Sequence, residues 1–177
     1  MKLSNLEVLF VHELKDIYDA EKQLTRALPK MARNAASEEL ADALEEHLKE
    51  TKDQMKRLER IFRSLDESPG RKKCAGMAGL LEEGDSMMEE EGDDDVKDAA
   101  LIASGQKVEH YEMAAYGCLV AWAEQLGYDD AVKLLEMSLE EEKAADEKLT
   151  EVASNVNFEA DYEEPAGRRV AQPRRRH

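Results

Sequence analysis

Several carboxylates of this chain occupy positions where a helix would ordinarily present its buried face. In the segment KVEHYEMAAYG, residues 107–117, apolar residues recur at helical spacing, yet Glu109 and Glu112 lie among them one turn apart. Glu21 and Glu142 interrupt other apolar stripes in the same way. Carboxylates gathered in a low-dielectric interior need a positive partner, and no lysine or arginine occupies these stripe positions. The pattern therefore favours bound cations.

Further polar residues lie on or beside the stripes, and helical steps of three or four residues leave some choices open. The polar candidates are His47, Glu50, Gln54, Glu112 and Asp146, and the steps allow Thr51 in place of Glu50, Met113 in place of Glu112 and Ala145 in place of Asp146. Any one of them, taken alone, has the ordinary explanation of a rim residue whose long side chain reaches solvent. Their coincidence near the middle of four helices favours a common site.

The donor set indicates the chemistry. Carboxylate oxygens with one imidazole suit Fe(II), Mn(II) or another first-row ion better than a thiolate-seeking ion. Two metal ions bridged by glutamates would account for the number of acids, and such a site can react with dioxygen or peroxide. Tyr18 and Tyr116 each lie one turn from a candidate acid, where either can hydrogen-bond a ligand, act as a redox tyrosine, or simply pack.

Four long segments with an apolar repeat of 3.6 residues must position these side chains. We predict helices over residues 5–32, 37–65, 96–126 and 129–156, with Ser37 as an N-cap and Gly127 as a C-cap. A crossover at residues 66–95 carries a short amphipathic helix in CAGMAGLLEEGDSMMEE. Two antiparallel helix hairpins joined by one long crossover describe an all-α, ferritin-like four-helix bundle.

Composition limits the classes of function. Of the 177 residues, 37% are charged and 5% aromatic, which is typical of helical proteins. The net charge is −16 although five of the last ten residues are arginine, so the remainder should repel nucleic acid. We predict one domain over residues 1–160. Residues 161–177 are predicted to be a disordered basic tail, which either solubilises the protein or contacts nucleic acid, anionic lipid or the acidic domain.

Two further observations bear on location. The chain has no apolar run of 18 residues, so no membrane span is expected. It has two cysteines, Cys74 and Cys118, and no signal-peptide pattern at its N-terminus, which fits reduced thiols in a cytoplasmic protein.

The chain resembles the YciE/YciF-type branch of ferritin-like proteins over about residues 6–156. The resemblance lies in HELKDIYDAEKQLTRALPKMA, EEHLKETKDQMKRLERIF, AALIASGQKVEHYEMAAYG and LEEEKAADEKLTEVA, with KCAGMAGLLEEG in the crossover. It implies a rubrerythrin-like four-helix fold, a role in stress responses, a homodimer and a dinuclear metal site. No reaction is firmly attached to the family.

The resemblance also implies a ligand set. The core ligands would be Glu21, Glu50, Glu109 and Glu142, the additional ligands Glu112 and Asp146, and the further candidates His47 and Gln54. The wider ferritin-like pattern has Glu-x-x-His on two helices. Here His47 precedes Glu50, and the last helix has no histidine. A histidine-poor site should hold its metal more weakly and favour hard or borderline ions.

Two hypotheses of different class follow. The first is a protein that binds two divalent ions, iron or manganese, and reduces peroxide or dioxygen while Fe(II) is oxidised, as a ferroxidase or peroxidase does. No catalytic residue is identified for it. The second is a non-enzymatic structural or interaction protein that binds metal weakly or not at all.

Overall fold

In the computed structural model, the described residues are 3–161, and they form five α-helices and no strand. The helices are α1 (Leu6–Asn34), α2 (Glu38–Ser64), α3 (Ala75–Glu89), α4 (Asp94–Leu126) and α5 (Asp129–Ala160). The four long helices and the short crossover helix match the predicted segments to within about one turn. The all-helical class is therefore confirmed.

Local sequence explains where the helices begin and end. The Asn5 side chain accepts a hydrogen bond from the backbone N–H of Val8 at 2.9 Å, and Ser37 caps α2 by accepting from the N–H of Leu40. Such side chains satisfy backbone donors that the first helical turn leaves without partners. Gly127 ends α4 in the left-handed region, with φ at 74°, where an L side chain would be strained. Both predicted caps, Ser37 and Gly127, are confirmed.

The four long helices surround a common interior. α1 packs against α2, α4 packs against α5, and the two pairs meet where α2 contacts α5 and α1 contacts α4. α3 lies outside this group, against α4 and α1. Apolar side chains fill the interior on both sides of its polar middle, with Phe10, Leu58 and Leu135 on one side and Leu28, Leu40 and Leu149 on the other.

Polar contacts fix the crossover to α1 and α4. The backbone N–H of Cys74, the N-cap of α3, donates to Asp19 at 2.8 Å. The Tyr111 hydroxyl on α4 donates to Asp16 at 2.9 Å and lies 2.9 Å from the buried Cys74 thiol. Cys118 is exposed, and both cysteines are free thiols. These contacts hold α3 over one side of the interior.

A buried carboxylate joins the two helix pairs. Asp98 on α4 is 1% exposed and accepts hydrogen bonds from the backbone N–H groups of Ala36 at 2.9 Å and Ser37 at 2.6 Å. Because these donors lie in the link between α1 and α2, the start of α2 is set relative to α4. This contact helps bring the polar residues of α2 and α4 to the same level.

Two expectations concern the rest of the chain. The predicted basic tail lies outside the described residues apart from Asp161, so that expectation stays a prediction. Within residues 3–161, none of the helices combines the length and apolar character needed to cross a membrane.

We expect Asp98→Asn to lower the free energy of unfolding by about 1.5–3 kcal/mol, because an amide cannot accept from both backbone donors as the carboxylate does. Urea denaturation would measure the change. Asp94→Asn, in the exposed first turn of the same helix, is the control and should cost less than about 1 kcal/mol. Equal losses in the two variants would show that Asp98 does not anchor the link.

Candidate metal centre

Acids and one histidine converge at the middle of the four long helices. Glu21, Glu112 and Glu142 are fully buried, while Glu109 is 2% and His47 5% exposed. One ligand atom from each of His47, Glu109, Glu112 and Glu142 lies within 4.8 Å of the others. These four residues form a group positioned to hold a metal ion, and we call them the four-residue group.

Helix packing decides which polar residues are buried. α4 contacts α1, α3 and α5, so its buried face is wide enough for both Glu109 and Glu112, which lie one turn apart. α2 packs mainly against α1 and α5, and its buried face includes Thr51 but leaves the Glu50 side chain 34% exposed. On α2 and α4, the choice that spacing left open is thereby settled by the helices that pack against each face.

Hydrogen bonds orient the acids from outside the four-residue group. The Tyr116 hydroxyl, fully buried on α4, donates to Oε1 of Glu21. The Gln54 amide, also fully buried, donates to Oε1 of Glu142. Each contact engages one carboxylate oxygen and leaves the other directed elsewhere. Tyr116 therefore contacts a predicted ligand, as its spacing allowed, whereas Tyr18 donates to Glu59 at 3.0 Å.

The site contains all the buried side-chain nitrogen and oxygen atoms of residues 3–161 that lack a hydrogen-bond partner. They are Glu21 Oε2, His47 Nε2, Gln54 Oε1, Glu109 Oε2, both Glu112 carboxylate oxygens and Glu142 Oε2. Buried polar atoms without partners are rare because each costs about 1–3 kcal/mol. Six of these seven atoms are carboxylate oxygens or an imidazole nitrogen, which can ligate a metal ion. The residues therefore fit a hard or borderline metal ion.

Burial and mutual repulsion disfavour ionised acids here. Burial raises the pKa of Glu21, Glu109 and Glu112 well above the ordinary value, and neighbouring carboxylate charges raise it further. Burial also raises the pKa of Glu142, although His47 opposes the change. For His47 itself, burial alone would lower the pKa, but the hydrogen bond to Glu50 and nearby acid charges raise it. A cation would remove the repulsion that these shifts reflect.

Three predicted ligands lie outside the four-residue group. Glu50 contacts His47 Nδ1 through Oε2 at 3.3 Å, and it is partly exposed. The Asp146 side chain is 20% exposed, lies 3.4 Å from His110 and accepts a hydrogen bond from Gln106. Glu21 is buried beside the group, close enough for its charge to raise the pKa of Glu112. Ligation by these residues, and by Gln54, stays a prediction.

One contributor was not identified from the sequence. Arg57 on α2 donates to both carboxylate oxygens of Glu141, at 2.6 and 2.5 Å, and to Ser138 at 3.1 Å. This cation lies beside the site, but its guanidinium is directed to Glu141 rather than to the buried acids. The available signal was the position of Arg57 one turn after Gln54 and of Glu141 next to Glu142.

Comparison with known proteins places the chain in a family. The family described as "Domain of unknown function (DUF892)" matches residues 5–160. The chain belongs to this family. The curated protein YciF of Escherichia coli strain K12 is 50% identical over 163 residues, which cover 91% of this chain and 98% of that protein. The resemblance stated from the motifs is thereby confirmed.

Solved structures of relatives agree with the DUF892 assignment. The crystal structure of the E. coli stress protein YciF has a TM-score of 0.85 at 49% identity, covering 88% of this chain and 98% of that chain. YcfI from Rhodopseudomonas palustris has a TM-score of 0.82 at 46% identity, covering 84% and 95%. A two-domain Anabaena variabilis protein with a ferritin-like domain has a TM-score of 0.56 at 14% identity, covering 95% and 40%, and supports the fold alone.

We expect the metal-free protein to become less stable as pH rises above about 4.5. The folded-state pKa values of Glu21, Glu109, Glu112 and Glu142 are raised, so the folded protein holds more protons than the unfolded chain. Their contribution to the stability of the folded protein is therefore largest when they are protonated. It falls as pH rises through their raised folded-state pKa values. The raised pKa of His47 acts in the same direction. Thermal unfolding with a chelator present, between pH 5 and 7.5, measures the trend.

The surface acids also repel one another at higher pH, so the trend needs a control. Glu112→Gln removes a buried titrating group and should flatten the dependence, whereas Glu136→Gln removes only an exposed one. An unchanged slope in Glu112→Gln would contradict the assignment of the trend to the buried acids.

Proposed function

We propose that this protein is a stress-associated, ferritin-like protein whose helices α1, α2, α4 and α5 form a four-helix bundle around two divalent metal ions, iron or manganese. The observation that carries the proposal is the four-residue group, whose ligand atoms lie within 4.8 Å of one another while several have no other partner. A homodimer, which the resemblance implies, and a cytoplasmic location, which fits the two free thiols, are part of the proposal.

The donor set supports two ions better than one. The four-residue group offers one imidazole and three carboxylates, which is a sufficient set for a first ion. Glu21 is buried close to Glu112 and Glu142, because its charge raises the pKa of Glu112 and the charge of Glu142 raises the pKa of Glu21. A second ion would be held by Glu21 together with Glu112 and Glu142. Glu50 and Asp146 are proposed as outer ligands that complete the coordination.

The residues around the acids have assignable roles. Tyr116 holds Glu21 by one oxygen, and Gln54 holds Glu142 by one oxygen, so the free oxygens are oriented before metal arrives. The contact between Glu50 and Nδ1 of His47 leaves Nε2 of the imidazole directed to the acids. Acids that are protonated in the metal-free protein must release protons when a cation binds.

The reaction proposed for the site is oxidation of Fe(II) by peroxide or dioxygen. Iron held there would supply two electrons, so that two Fe(II), one hydrogen peroxide and two protons give two Fe(III) and two waters. The buried carboxylates, once ionised, would stabilise the higher positive charge of Fe(III). No residue is assigned as the catalytic acid, because the buried acids all belong to the proposed ligand set.

A specific observation favours a second candidate function. The raised pKa values of the buried acids allow them to remain neutral without a cation. A structural or interaction protein that does not use metal is therefore compatible with the same site. Metal stoichiometry distinguishes this alternative from the oxidative one.

Anaerobic titration of the metal-free protein with Fe(II) should saturate near two ions per chain. Glu142→Gln should abolish stoichiometric binding, because this acid belongs to both proposed positions, whereas Glu136→Gln on the exposed face of α5 should bind as the wild type does. Adding peroxide should then oxidise the bound Fe(II), and the change in near-ultraviolet absorbance measures this oxidation. Lack of stoichiometric binding in the wild type would reject the metal site, and binding without oxidation would reject only the reaction.

Tyr116→Phe tests the orientation of Glu21. The variant removes the hydroxyl that donates to Glu21 but keeps the aromatic ring and all proposed ligands. We expect metal affinity to fall about 10- to 100-fold, as for other partners that orient ligands. Tyr18→Phe, whose hydroxyl contacts Glu59, is the matched control and should bind metal normally. Normal affinity in Tyr116→Phe would exclude this role of the hydroxyl.

A further inference from the structure

A cleft of about 220 Å³ opens between α2 and α5, beside the four-residue group. Its walls include the small side chains Ala43, Ala144 and Ala145, which leave space between the two helices. This volume corresponds to several water molecules at about 30 Å³ each, so a hydrated ion can be accommodated.

The floor of the cleft consists of two members of the four-residue group. His47 and Glu109 line it, although they are only 5% and 2% exposed. Nε2 of His47 and Oε2 of Glu109 have no hydrogen-bond partner. The cleft therefore ends on buried ligand atoms that are available to a cation.

The same two helices are bridged on the opposite side of the ligands. There Arg57 donates three hydrogen bonds, two to Glu141 and one to Ser138, and the Arg57 side chain is only 14% exposed. Gln54 on α2 also donates to Glu142 on α5. The seam between α2 and α5 is closed by these contacts at one end and open at the end lined by alanines.

Charged side chains surround the opening. Glu46 is exposed, Glu50 is 34% exposed, and the two lie one turn apart on α2, on the same side of the helix. Lys148 is the cation among the residues that line the cleft, and its ammonium lies 3.5 Å from the carboxylate of Glu39. Glu50 also contacts His47, so the carboxylates at the opening lead directly to the floor.

We propose that this cleft is the route by which a divalent cation reaches the metal centre, and that Glu46 and Glu50 form an outer site that captures the cation. His47 and Glu109 are the first inner residues to receive it. The inference rests on the proposed function and adds to it an outer site in which Glu50 acts together with Glu46, a residue that is not among the proposed ligands. It requires rates of metal uptake and release to depend on residues that do not affect the final coordination.

The charge of the outer site is tested by Glu46→Gln in the full-length, metal-free protein. Anaerobic mixing with Co(II) in a stopped-flow instrument follows uptake through the absorbance of the bound ion. Removing one negative charge at the opening should slow uptake about three- to tenfold at low ionic strength, and added salt should reduce the difference. Glu45→Gln is the matched control, since Glu45 is exposed next to Glu46 but does not line the cleft. Lys148→Gln should accelerate uptake.

The route itself is tested by Ala144→Leu. Ala144 is exposed and lines the cleft, so a larger side chain should obstruct the opening while leaving the core intact. Uptake of Co(II) and its release to a chelator should slow by the same factor, with unchanged equilibrium affinity, because an obstructed route affects both directions equally. Ala114→Leu, at an exposed position on α4, is the control.

The outcomes separate the inference from the proposed function. If the wild type binds Co(II) and both Glu46→Gln and Ala144→Leu take it up at the rate of their controls, the route is wrong and the metal centre stands. If the wild type binds no Co(II) at equilibrium, both proposals are overturned. Slower uptake in the two variants alone, with unchanged stoichiometry, supports the route.

Discussion

Repulsion among buried carboxylates is the constraint on which the middle of this structure depends. Moving an ionised acid from water into the interior costs several kcal/mol, and nearby acids increase the cost. Glu21, Glu109, Glu112 and Glu142 are nevertheless buried together, and burial raises the pKa of each. Selection for stability alone would replace such residues with apolar ones, which is why the site indicates a function.

The surrounding residues limit the repulsion without removing it. Tyr116 and Gln54 each donate a hydrogen bond to one acid, and the imidazole of His47 lies between acids from α4 and α5. The nearby guanidinium of Arg57 is directed to Glu141 instead. The buried atoms that still lack a hydrogen-bond partner lie together at this site. Packing faults would be scattered through the core, whereas a cluster of this kind is typical of a binding site.

Membership of the DUF892 family relates this chain to similar proteins but does not identify an activity, because the family is described as a domain of unknown function. YciF of E. coli is a stress protein of about 50% identity, and the similarity covers nearly its whole length. The ferritin-like domain from Anabaena variabilis is similar in fold at 14% identity, and a shared fold can carry unrelated functions. The chemistry of this chain is therefore argued from its own acids, their burial and the cleft that leads to them.

The sequence by itself determined the all-helical class, the order of the five helices and the presence of acids on the apolar stripes. These properties are local, because caps such as Ser37 and the 3.6-residue period act within a few turns of one helix. Only the tertiary structure decided how deeply each acid is buried. Spacing on α2 allowed either Glu50 or Thr51 to face inward, and it left Glu112 no better placed than Met113.

The reason is that burial depends on how many helices surround a given face. α4 packs extensively against α1, α3 and α5 and buries Glu112 with Glu109, while α2 packs mainly against α1 and α5 and leaves Glu50 at the edge. The cleft between α2 and α5 likewise needs small residues from both helices to face each other, as Ala43 and Ala144 do. These two residues are about a hundred positions apart in the sequence, and the periodicity of a single helix cannot predict that they face each other.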